Sequence, residues 1–277
     1  MIMKSEMIKT SEVELEVSVE GEGNPVVLVH GYTTTSNFWW HQVPDLAKYY
    51  RTVRFDLRGH GNSGKPRDIP YDIAGFATDL RNVLDSLGIE RAAIFGLSMG
   101  GAVVMQFAHD CPERVAALGL ISTTAHGLGT HVQADHVLAR IREVGAAEAS
   151  QEVIAHSFAR STDPAIVEWA KLEVVKTPQY VAEPAIRALD DFDIRDSLGR
   201  FDFPTLIVVG SEDQITPLEY SRFLHVAIAR SELHVVPRAA HFPMLEKPFV
   251  FNKIALDFLE DVRFDRGAAH AAVPGER

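Results

Sequence analysis

Polar and apolar residues alternate through "EVELEVSV" (residues 12–19), which predicts a strand with one wet face. The pattern then changes. "VVLVH" (26–30), "AAIFG" (92–96), "VAALGLIS" (115–122) and "TLIVVG" (205–210) are apolar runs of the kind found in strands covered on both faces. "TVRFD" (52–56) and "ELHVV" (232–236) complete seven predicted strands. Between them the spacing turns helical: from Asn37 to Lys48, from an N-capping Asp72 to a stop at Gly88, just after Ser98, after Pro217, and from Pro248 to Val262. Strands alternating with helices predict βαβ units and a mainly parallel sheet. From about Thr123 to Asp202 the alternation pauses, and the chain reads as helices only, most clearly in "HVQADHVLARIREVG" (131–145). The expected layout is a core of residues 1–122 and 203–264 with a helical insertion, 123–202. The tail "DRGAAHAAVPGER" (265–277) has no periodicity and is expected to be disordered.

Composition narrows the function classes. The chain carries 27 Lys and Arg against 38 Asp and Glu, a net charge of −11, which argues against a phosphate-binding surface. Cys111 is the single cysteine, so neither an intrachain disulfide nor a cysteine-based zinc site is expected. The first ten residues, "MIMKSEMIKT", lack the apolar stretch of a secretory signal, and the cytoplasm is the default expectation. The best membrane-span candidate, "AAIFGLSMGGAVVMQFA" (92–108), is short and contains Ser98, Gln106 and three glycines. The expected partner is a small-molecule substrate, with no nucleic acid and no membrane; self-association is left open.

That same stretch holds the strongest chemical signal. Gly96-Leu97-Ser98-Met99-Gly100 fits G-x-S-x-G between a predicted strand and a predicted helix. A sharp strand-to-helix turn strains its central residue and needs small neighbours. It lifts the serine hydroxyl off the sheet and aims the first helical N–H groups at whatever the serine attacks. The bland alternative is a glycine-rich turn required only for packing. A serine nucleophile needs a base, and the base needs an acid to orient it, in the chain order Ser, Asp or Glu, His. Asp213 lies three residues past "TLIVVG" and His241 five past "ELHVV", where loops from the C-terminal sheet edge converge.

With these residues in place, the chain resembles the α/β-hydrolase superfamily over about residues 12–262. The resemblance rests on "HGY" (30–32), "FDLRGHGNS" (55–63), "GLSMGG" (96–101), "GSEDQITP" (210–217) and "AHFPMLEKP" (240–248), in that order. It implies a mostly parallel eight-stranded sheet with helices on both faces and a helical cap. It also implies Ser98 as nucleophile, Asp213 as orienting acid, His241 as base, and backbone N–H groups of Tyr32 and Met99 as the oxyanion hole. Neither metal nor organic cofactor is implied. Tyr32, Trp39 and Phe242 are candidate pocket residues, each with core packing as its competing role; for Trp39 and Trp40 packing is favoured.

Other residues have duller readings. His30 and His60 fit packing or hydrogen-bonding positions, and His126, His131 and His136, spaced by five, fit a solvated surface better than a helical metal pair. "FDLRGHGNSGKP" lacks the phosphate-loop pattern and reads as a structural turn. Some relatives carry the acid after the strand that follows the nucleophile helix. Here that place holds "STTA" (122–125), without a carboxylate.

The expected reaction is acyl transfer to water on an ester or lactone of a small, largely apolar substrate. Within the superfamily the motifs are most similar to enol-lactonase-like and carboxylesterase members. Hydrolases of carbon–carbon bonds in ring-fission products are also similar; they typically have asparagine before the nucleophile and tryptophan after the histidine, where this chain has Leu97 and Phe242. A ligand sensor and a cofactor-free oxygenase that bypasses Ser98 are the alternatives from other classes.

Overall fold

A computed structural model describes residues 5–128 and 133–264. Eight strands form one sheet: β1 (Ser5–Lys9), β2 (Glu14–Glu20), β3 (Pro25–Val29), β4 (Arg51–Phe55), β5 (Ala92–Leu97), β6 (Val115–Ile121), β7 (Thr205–Gly210) and β8 (Ser231–Val236). Their spatial order is β1-β2-β4-β3-β5-β6-β7-β8. The first two strands join antiparallel, and every pairing from β4 to β8 is parallel. Ten α-helices accompany them among the described residues: α1 (Val43–Leu46), α2 (Ile73–Ser86), α3 (Met99–Asp110), α4 (Ala134–Val144), α5 (Ala146–His156), α6 (Pro164–Val174), α7 (Gln179–Asp190), α8 (Leu218–Ala227), α9 (Pro243–Glu246) and α10 (Pro248–Glu260).

The apolar runs explain the two-sided core. Along β3, Val27 and Val29 face a cluster shared with α2, α3 and α8, whereas Val26 and Leu28 face one shared with α1 and α10. The same two-residue alternation splits Ile94 from Phe95 on β5 and Leu120 from Ile121 on β6. Helices therefore cover both faces, and a strand buried on both sides needs no polar face. Asp72 caps α2 as predicted, its carboxylate accepting from Gly75 N–H at 2.7 Å, and Gly88 just beyond the helix has φ +64°.

The short α9 aside, two elements differ from the sequence reading. The strand β1 is missing from it, because only Ile8 of its five residues is buried and no alternation marks it. It adds to the sheet edge by pairing Ile8 with Leu15. The helix expected from Asn37 to Lys48 is instead a 3-10 turn, Ser36–Trp39, and the four-residue α1, which has a proline in its first turn. Helices α4 to α7 lie between β6 and β7, where only helices are predicted. In α4, Ala134, Val137, Leu138 and Ile141 form the buried stripe that the helical period requires. The 265–277 tail and His131 fall outside the described residues. No helix among the described residues is long and apolar enough to cross a membrane.

Candidate active site

Ser98 occupies the turn between β5 and α3 with φ +52° and ψ −118°, a backbone strained for any residue with a Cβ. Three hydrogen bonds hold it there: Ser98 N–H to Ile121 O at 2.9 Å, and Ser98 O accepting from Gly101 N–H and the Thr123 hydroxyl, both at 2.8 Å. The glycines follow from close approach. A Cβ on Gly100 would meet the carbonyl oxygens of Val29 and His30, and one on Gly96 would meet the backbone of Gly100. The turn is packed as tightly as the chain allows, and the Ser98 side chain is left facing a cavity. Met99 N–H opens α3, where helical geometry provides no intrahelical acceptor.

The chain brings Asp213 and His241 together from the ends of β7 and β8. His241 Nδ1 donates to Asp213 Oδ2 at 3.0 Å and lies 3.2 Å from Oδ1. Asp213 also accepts from the N–H groups of Ile215 and Thr216 and from the Thr216 hydroxyl. Burial pushes the Asp213 carboxyl up, but the His241 imidazole and the Thr216 donors outweigh it and hold the group below the ordinary aspartate value. A proton fixed on Nδ1 leaves the Nε2 lone pair free to act as a base.

His241 and Ser98 line the same cavity. Its floor is the Gly31–Thr34 loop after β3. Gly31 N–H donates to the Thr34 hydroxyl at 2.9 Å, and Thr33 takes φ +53°. The walls are aliphatic: Leu128, Val137, Val153, Ile154, Ile186 and Leu189 from the inserted segment, with Ile215 opposite. Tyr32 and Phe242 are also among its lining residues. The Tyr32 hydroxyl is tied to Ala182 O at 3.1 Å, and burial raises its pKa above the ordinary tyrosine value, so it is not placed to act as an acid.

Trp39 is a correction. Its indole is wholly buried 6.1 Å from the Phe251 ring, on the face covered by α10, and does not reach the cavity. The reason is the broken helix: the 3-10 turn directs Trp39 into the core and leaves Trp40 exposed. The aliphatic wall was not picked out from sequence. On an amphipathic helix, a side chain facing a cavity and one facing a core have the same spacing. His136 is exposed as expected, whereas His126 is half-buried, edge-on to the Tyr220 ring at 5.7 Å.

Two further histidines support the floor loop. His30 Nε2 accepts from Leu57 N–H at 3.0 Å, pinning the end of β3 to the loop after β4. His60 Nδ1 donates to Arg58 O at 2.9 Å, and its buried Nε2 has no hydrogen-bond partner among the described residues. Burial, reinforced by nearby His30, lowers the His60 pKa to about 3; burial lowers that of His30 as well. Since an unfolded histidine titrates near 6.5, each contributes stability that is present above that pH and lost as pH falls toward the folded value. His60 alone is expected to cost about 2 kcal/mol between pH 7 and pH 5. Urea unfolding at the two pH values checks this; equal midpoints would contradict it.

With this geometry established, comparison with known proteins adds context. A sequence profile described as the alpha/beta hydrolase fold matches residues 24–160. The chain is 31% identical over 268 residues to a 2-hydroxy-6-oxo-2,4-heptadienoate hydrolase of Pseudomonas putida, spanning 91% of this chain and 95% of that one. Among solved structures, a thermophilic esterase from Thermogutta terrifontis superposes with a TM-score of 0.84 at 29% identity, over 93% of this chain and 98% of the other. An enol-lactonase from Burkholderia xenovorans does so with a TM-score of 0.85 at 26% identity, over 92% of this chain and 100% of the other.

Proposed function

The chain belongs to the α/β-hydrolase family, and on that premise we propose that it is a serine hydrolase cleaving a carboxylic ester or lactone through an acyl-enzyme on Ser98. The observation that carries this reading is the Asp213–His241 hydrogen bond beside a cavity that both His241 and the strained Ser98 line.

In the proposed cycle the Ser98 hydroxyl attacks the substrate carbonyl while His241 Nε2 takes its proton. The carbonyl oxygen becomes an oxyanion held by the N–H groups of Met99 and Tyr32. Collapse breaks the ester bond, and the proton on His241 passes to the leaving oxygen. A water then enters, gives its proton to His241 and attacks the acyl carbon; when Ser98 leaves it recovers a proton from the imidazole. Asp213 holds the imidazole in one tautomer throughout.

Helices α4 to α7 act as the cap over this site, and their aliphatic side chains set substrate size. Apart from imidazole, the described lining contains no cationic side chain, so a neutral acyl group is favoured over one that carries a carboxylate into apolar surroundings. A fluorophosphonate probe is expected to modify the peptide containing Ser98, with turnover of short neutral p-nitrophenyl esters and lactones. No adduct together with no turnover of any ester or lactone would refute the proposal. The Pseudomonas putida relative supports a second reading, cleavage of a carbon–carbon bond in a ring-fission product. Including 2-hydroxy-6-oxo-2,4-heptadienoate in the panel decides between them, and its anionic carboxylate is expected to make it the poorer substrate.

A further inference from the structure

A carboxylate outside the proposed triad grips the segment that carries His241. Glu246, at the end of α9, is only 9% exposed. Its Oε1 accepts from Ala240 N–H at 2.9 Å and Phe242 N–H at 3.2 Å, the amides on either side of His241. Its Oε2 accepts from Ala159 N–H at 2.9 Å and the Thr162 hydroxyl at 2.7 Å, both in the turn between α5 and α6. The amide of His241 itself donates to Ser157 O at 3.0 Å, in that same turn. Three consecutive amides of the histidine loop therefore end on Glu246 or on the inserted segment. Ser157, which closes the arrangement, also lines the cavity, as do Val153 and Ile154 just before it.

We propose that Glu246 is a positioning residue that couples the seating of the α5–α6 turn to the placement of His241. One oxygen sets the backbone of the base, and the other clamps the part of the cap that contacts substrate. Seating the cap and aligning the base thus become one event. The inference rests on the reading of His241 as the base.

The two oxygens can be tested separately. In Glu246→Ala both acceptors are lost and the His241 loop is free to shift; a displacement of about 1 Å costs on the order of 100-fold in kcat. Fluorophosphonate labelling of Ser98 slows in parallel. In Glu246→Gln the amide oxygen stays with the Ala240 and Phe242 N–H groups, because the reverse orientation would oppose an NH2 to two donors. The NH2 then opposes Ala159 N–H, whereas the Thr162 hydroxyl can turn to accept from it, so the cap side loses one hydrogen bond. That variant keeps kcat within about threefold of the parent while KM rises roughly fivefold, the equivalent of one hydrogen bond. Thr162→Val removes one cap-side bond without touching the histidine loop, and its KM moves the same way with kcat unchanged.

Activity, labelling and urea midpoints are measured for all three variants beside His241→Ala. A folded Glu246→Ala with kcat within threefold of the parent overturns the proposal, as does a Glu246→Gln that loses as much kcat as the alanine variant. Should the alanine variant fail to fold, the other two carry the test: raised KM with kcat held supports the coupling, and unchanged KM in both overturns it. If His241→Ala retains activity, the base assignment falls and this inference with it. If His241→Ala is inactive while the Glu246 variants behave as the parent, only this inference falls.

Discussion

Asp213→Asn is expected to lower kcat by about 10⁴-fold with little change in KM, the scale of a triad locked in the wrong tautomer. The direction follows from the donors already in place. Asp213 Oδ1 accepts the N–H groups of Ile215 and Thr216 at 2.9 and 3.0 Å, and these cannot turn away. An asparagine at this position therefore keeps its oxygen toward those amides and places its NH2 where Oδ2 now meets His241. That NH2 can only donate, so His241 must present a bare Nδ1 and carry its proton on Nε2. The nitrogen that serves as base in the proposed cycle is then already protonated and cannot accept the serine proton. Ser98→Ala is expected to remove still more, on the order of 10⁶-fold, because the proposed cycle passes through an acyl-enzyme on Ser98. Steady-state hydrolysis of p-nitrophenyl butyrate measures both. An Asp213→Asn variant within tenfold of the parent would place the acid elsewhere, and activity surviving in Ser98→Ala would favour base-only chemistry, such as the cofactor-free oxygenase.

The parts of the molecule legible in sequence are those where one residue type satisfies one physical demand. A strand buried on both faces must be apolar throughout, so β3, β5, β6 and β7 announce themselves. Gly96 and Gly100 stand where a methyl group would meet backbone atoms, and glycine is the only residue that fits. Asp213 and His241 stand three and five residues past predicted strand ends, and the fold brings them into hydrogen-bond contact. What stayed hidden depends on long-range pairing. The edge strand β1 owes its conformation to β2 rather than to its own pattern. Trp39 reads in the sequence as a pocket candidate with packing favoured, and the tight turn and short helix that replace the expected helix seat it in the core. Glu246 is only one letter of "AHFPMLEKP" in the sequence; its four donors come from two segments, one of them more than eighty residues away. No local spacing encodes such a clamp.

The largest expected loss of stability lies away from the cavity, at Arg58 and Asp79. The Arg58 side chain is 1% exposed and that of Asp79 fully buried. Arg58 Nη2 donates to Asp79 Oδ1 at 2.7 Å, Nε to Oδ2 at 2.9 Å, and the Arg58 amide to Oδ2 at 3.0 Å. Burial pushes the Asp79 carboxyl up from its ordinary value, and the guanidinium pulls against that shift. In Asp79→Ala the cation remains buried with Glu12 as its remaining carboxylate, 2.8 Å from Nη2 and 45% exposed. A buried charge left with only this half-exposed partner is expected to cost about 3–5 kcal/mol, measurable as a lower urea midpoint at unchanged slope. The pair itself need not be strongly stabilising, since desolvating both charges offsets much of their attraction. Arg58→Met with Asp79→Leu should therefore recover most of the loss. It should stay about 1–3 kcal/mol below the parent, because the Arg58 amide then has no acceptor. A single Asp79→Ala that unfolds at the parent midpoint would mean that water or Glu12 already solvates the guanidinium. A double variant no better than the single would mean instead that the α2–loop junction depends on the ion pair for its shape. The kcat per folded molecule should change little in either variant, since neither residue lines the cavity that Ser98 faces.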